Sequence, residues 1–85
     1  MTCYRRPPDL AVVEDPAAVY AARLPDGPIV VLDGVAGLIW AAACEGPAAT
    51  IVDRVAAVTD ASPDAIRADV DAFVVDLVRR GLLME

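Results

Sequence analysis

The sequence predicts an α+β domain in which three short antiparallel strands precede three helices. Three observations carry this prediction. Two runs of strand character flank Pro25-Asp26-Gly27-Pro28, a turn in which proline presets one angle and glycine accepts positive φ. Ile29 to Trp40 reads as a strand running straight into a helix. Asp69 to Leu83 reads as an amphipathic helix that stops at Gly81 and continues into two leucines.

Taken in order, residues 1–9 are expected to form a flexible tail, because Pro7-Pro8 pairs with neither helix nor sheet, and residues 10–85 form the domain. Leu10 to Val13 is the first strand, closed by Glu14-Asp15-Pro16. Ala17 to Leu24 is the second, with Val19, Ala21 and Arg23 on one face and Tyr20, Ala22 and Leu24 on the other. Ile29 to Leu32 returns as the third and completes a hairpin.

Asp33 is placed to cap the first helix, along which Ile39, Trp40 and Ala43 recur at helical spacing until Glu45-Gly46-Pro47. The second helix covers about Ala48 to Thr59, with Ile51, Val55 and Val58 as its stripe. Ser62 then caps a third helix from Pro63 to about Arg80, with Asp64 near the positive end of its dipole. On a wheel of ~100° per residue, Ile66, Val70, Phe73 and Leu77 form the core stripe of this helix. One shoulder carries Arg67, Asp71, Val74 and Val78; the other carries Asp69, Asp76 and Arg80. The hairpin beside a helix, turn, helix succession allows a winged helix-turn-helix-like arrangement.

Composition narrows the function. A chain of 85 residues makes one domain and hides roughly 60 to 65% of its extended surface. Its apolar fraction is 58%, yet no window approaches the ~20 uninterrupted apolar residues of a membrane span, and no signal peptide is seen, so a cytoplasmic protein is expected. Net charge is −6 and lysine is absent. The arginines are spread along the chain, which makes nucleic acid a poor partner. Cys3 and Cys44 are expected to be free thiols. With no histidine to join them, no metal site is expected. Catalysis has little to work with, since the only acid/base groups near neutral pH are carboxylates on helix faces and the lone serine, Ser62, serves as a cap. No catalytic residue, cofactor or metal is therefore assigned.

Val31-Leu32-Asp33-Gly34-Val35-Ala36-Gly37-Leu38-Ile39-Trp40 resembles the strand-to-helix passage of PqqD-like proteins, the RiPP recognition elements, where a Leu-Asn-Pro-Thr-Ala-Ala-Leu-Ile-Trp kind of run recurs. Asp69-Val70, Phe73, Leu77 and Gly81-Leu82-Leu83 resemble the last helix and Gly-Leu-Leu ending of that family. The resemblance spans about residues 10 to 83. Asp33-Gly34 departs from the common Asn-Pro, Pro47 stands near the usual threonine N-cap of the second helix, and the usual lysines are missing.

The resemblance implies a non-catalytic module that binds the leader segment of a ribosomally made precursor peptide. The leader adds as a strand to the edge of the third strand and lies against the third helix. A separate enzyme, such as a radical-SAM enzyme, a lasso-type protease or a cyclodehydratase, modifies the peptide. On this reading Ile29, Val30, Val31 and Leu32 supply strand pairing. Arg67, Asp71, Val74 and Val78 line the helical side of the groove, with Arg67 facing an acidic leader residue. Trp40 and Phe73 are assigned to the core. The alternatives are a winged-helix DNA-binding module, disfavoured by charge, and a structural dimerisation subunit.

Overall fold

Period-two burial organises the first part of the chain. Leu10–Glu14 (β1), Ala18–Arg23 (β2) and Val30–Asp33 (β3) form one antiparallel sheet in the order β1-β2-β3, in a computed structural model that describes residues 3–85. Val19, Ala21 and Leu32 point inward and are buried, while Tyr20 and Val31 between them point to water. Three helices follow: Val35–Glu45 (α1), Ile51–Thr59 (α2), introduced by a 3-10 turn at Ala48–Thr50, and Pro63–Arg79 (α3). The α+β class and the order of its elements are as the sequence predicts.

The core lies between the inner sheet face and the helices. It joins Val19, Ala21 and Leu32 to Ile39, Trp40 and Ala43 of α1, Ile51 and Val55 of α2, Val70, Val74 and Leu77 of α3, and Leu82 and Leu83 beyond it. Trp40 is fully buried, and its indole Nε1 donates to the Leu82 carbonyl at 3.0 Å. Removing an indole from water hides roughly 150 to 250 Å², about 4 to 6 kcal/mol at 25 cal/mol per Å². The hydrogen bond spares it the cost of an unpaired donor. Gly81, at φ +78°, turns the chain out of α3 in the left-handed conformation and delivers both leucines to this core.

Five local expectations are corrected. Asp33 does not cap α1: it pairs with Ala18 as the last residue of β3, and Gly34 takes the N-cap position at φ 56°. The turn from strand to helix needs that positive φ, which glycine supplies without strain. Ile29 precedes β3 and is exposed. Ser62 does precede α3, but its hydroxyl makes no capping bond; the Ala65 amide instead donates to the Ser62 carbonyl. Val58 is 68% exposed, and Val52 and Ala56 complete the buried stripe of α2 in its place. Val74, expected to line the helical side of the leader groove, is only 5% exposed and belongs to the core.

The segment before β1, expected as a loose tail, makes specific contacts; the part of that expectation falling on residues 1 and 2 lies outside the described residues. Arg5 and Met84 exchange two backbone hydrogen bonds of 2.8 and 2.9 Å, Cys3 bridges Pro47, and Pro7 is buried. The Arg6 guanidinium lies 4.9 Å from the Trp40 ring centroid and pairs with Glu14 at 3.2 Å. A cation over an aromatic face adds to the packing of that indole.

Candidate functional site

β3 is an edge strand, and its register shows which of its residues are unpaired. Along an antiparallel pair, opposed residues alternate between bonded and non-bonded pairs. The Gly34 amide donates to the Ala17 carbonyl at 3.5 Å, one step beyond the pairing of Asp33 with Ala18. Hence Val19 with Leu32 and Ala21 with Val30 are the bonded pairs. The other side of β2 agrees, because Ala18 exchanges both its backbone bonds with Asp15 and so turns away from β3. The amides and carbonyls of Val31 and Asp33 therefore face the open edge.

A groove of about 420 Å³ begins where that edge ends. Val35 and Ala36, the first residues of α1 after β3, form one end of it with Ile39. Ile66, Val70 and Phe73 of α3 form the opposite wall, and Val55 of α2 lies between. Its lining is almost wholly apolar. Asp69 stands on its rim, and the hydroxyl of Thr59 is turned to the Val55 carbonyl at 2.8 Å. An extended peptide pairing with β3 would find main-chain partners on the strand and an apolar trough at its end.

The residues singled out from the sequence divide into two groups. Val31 stands at the open edge with its side chain exposed. Val30 and Leu32 direct their main chain to β2, and Leu32 is core. Ile29 lies outside the strand. Arg67, Asp71, Val74 and Val78 share one flank of α3, but it is not the groove flank. Asp71 and Val74 line a separate cavity of about 240 Å³ with Tyr4, Ala48 and Ile51, so the chain's own N-terminal segment packs there. Arg67 pairs with Asp64 at 3.6 Å. Sequence reasoning missed Ile66, Asp69 and Phe73 as groove residues. The signal for them is that Val35 and Ala36 follow β3 directly, so the α3 shoulder meeting the start of α1 is the one beside the edge.

The remaining chemistry is sparse. Burial pushes the Cys44 thiol above its ordinary range. The guanidinium of Arg23 beside Asp9 holds that carboxyl below the usual carboxylate range. Among the described residues no group of three or more acidic, cysteine or histidine side chains could hold a metal ion. Among the described residues no helix is long and apolar enough to cross a membrane.

No curated protein and no solved structure matches the sequence at a significant level. The family described as coenzyme PQQ synthesis protein D matches it over residues 13–83, from the end of β1 to the second leucine after Gly81. That span contains the open edge, both walls of the groove and the buried Trp40, and on it the chain belongs to the PqqD family.

Proposed function

We propose that this protein binds the leader segment of a ribosomally synthesised precursor peptide by strand addition to β3 and presents it to a separate modifying enzyme in the cytoplasm. Family membership supports a peptide-binding accessory protein associated with PQQ synthesis. The observation that carries the finer reading is the unpaired main chain of Val31 and Asp33 leading into the apolar groove. A leader with an apolar side chain would seat it between Val35, Ile39, Ile66 and Phe73. A basic residue next to that side chain would meet Asp69. Neither role calls for chemistry by this chain, and the modifying enzyme supplies it.

Amide hydrogen exchange tests the reading directly. In the free protein the amides of Val30 and Leu32 are protected by β2, while those of Val31 and Asp33 exchange freely. Saturating leader peptide should slow exchange at Val31 and Asp33 specifically. A leader that binds without protecting either amide would rule out strand addition at β3. Incubation of the purified protein with precursor should also leave the precursor mass unchanged; a reproducible mass change with no other enzyme present would make the chain a catalyst.

A further inference from the structure

An antiparallel sheet with one face on the core usually turns polar side chains to water on the other. This sheet does not. Val13, Tyr20 and Val31 stand directly opposite one another across β1, β2 and β3, and are 64%, 42% and 51% exposed. Ala11 opposes Ala22 in the adjacent row, and exposed Ile29 lies at its β3 end. At the other side of the Tyr20 row, Ala18 pairs with both Asp15 and Asp33. Neither aspartate has a cation within salt-bridge distance among the described residues. The outward positions of the three strands hold no arginine.

We infer that this outer sheet face docks the modifying enzyme, through an apolar patch on that enzyme bordered by lysine or arginine; the inference rests on the leader-binding reading above. Charge selects this occupant. A second copy of the chain would bring the same unpaired Asp15 and Asp33 and no cation at the outward strand positions, in a molecule of net charge −6, whereas a basic border meets them favourably. Continuity supports it as well. A leader strand added beside β3 extends each row by one residue, and its alternate side chains join the face next to Val31. The enzyme would then read one surface made of carrier and leader together, at the edge where the peptide lies.

The test uses the full chain with a ribosomally made precursor peptide and the enzyme that modifies that peptide. Val13→Thr combined with Tyr20→Thr keeps residues suited to strands and removes two of the three apolar side chains of that row. Thermal melting should stay as in the parent. Leader affinity should change by less than about twofold, and affinity for the enzyme should fall at least about tenfold. Asp15→Asn with Asp33→Asn should flatten the salt dependence of enzyme binding. Unchanged enzyme affinity in the threonine variant, with leader binding intact, overturns the proposal. So does a parent that sediments as a dimer and becomes monomeric in that variant, because a second copy then covers the face. Should the parent fail to bind leader, the leader-binding reading falls, and the enzyme affinities of parent and variant still decide this one.

Discussion

The two edges of the sheet are treated differently. At β1, Arg6 ties the preceding segment back to Glu14 and stacks over Trp40, while Arg5 pairs with Met84 and Pro7 is buried. At β3, no side-chain hydrogen bond or ion pair reaches any strand residue among those described, and Ile29 and Val31 are bare. The flanks of α3 repeat the contrast, with Tyr4 packed on the side of Asp71 and Val74 and an open groove on the side of Ile66 and Phe73. Exposed strand edges invite unwanted pairing, and proteins usually protect them. A chain that ties down the segment before β1 and leaves β3 free beside an apolar trough has the arrangement that the proposed strand addition requires.

Substitutions on the two flanks of α3 test that contrast most strongly. Val74→Asp places a carboxylate where the side chain is 5% exposed, and an unpaired buried charge should cost about 3 to 5 kcal/mol in urea melts. Asp69→Asn, on the exposed groove rim, should leave stability within about 0.5 kcal/mol of the parent. A folded Val74→Asp protein that has lost leader binding would place the groove on the other flank.

Proline on β3 separates the two sides of one strand. Val30→Pro removes an amide bonded to Ala21 and leaves that buried carbonyl unpaired, at a cost of about 1 to 3 kcal/mol. Val31→Pro removes an amide that faces the open edge, so stability should change little and leader affinity, followed by fluorescence anisotropy, should fall about tenfold. Equal stability loss in both variants would mean that the register assigned to β3 is shifted.

The alternation of β2 and the stripe of α3 were legible in the sequence because period two and period 3.6 are local properties. The end of β3 was not. Asp33 has a good capping side chain, but its ladder partner Ala18 holds it in the sheet, and that partner is invisible to local reasoning. The helical wheel correctly grouped Arg67, Asp71, Val74 and Val78, and Asp69 with Asp76. It carried no information on which shoulder faces β3, since that depends on how α3 crosses α1. The anchoring of residues 3–7 was not legible either, because Pro47 and Met84 are far away in sequence.

Arg6→Ala probes the secured side on a smaller scale. It removes a half-exposed ion pair and a cation over Trp40, together about 1 kcal/mol. Trp40 is the only tryptophan, so its fluorescence should become more accessible to iodide quenching in the variant. Leader affinity should not change, because both interactions lie on the β1 side. A drop in leader binding equal to the drop in stability would show that the two edges are not independent.

The smallest expected effect is that of pH on the Asp9–Arg23 pair, which joins the residue before β1 to the end of β2. Both Nε and Nη2 of Arg23 donate to Asp9 Oδ2, at 3.1 and 2.7 Å, and hold the carboxyl below its ordinary range. A carboxyl whose folded value lies below its unfolded one stabilises the fold above the unfolded value, about pH 4. That contribution fades as pH falls through the folded value. The parent should therefore melt slightly higher than Asp9→Asn at pH 6, and the difference should shrink steadily below about pH 4. Because the pair is exposed to solvent, added salt should reduce the difference too. A gap that persisted unchanged at pH 2 would mean that the asparagine had disturbed the backbone bond from the Leu24 amide to the Asp9 carbonyl. The β1 end of the sheet would then be held by its main chain, with charge contributing nothing.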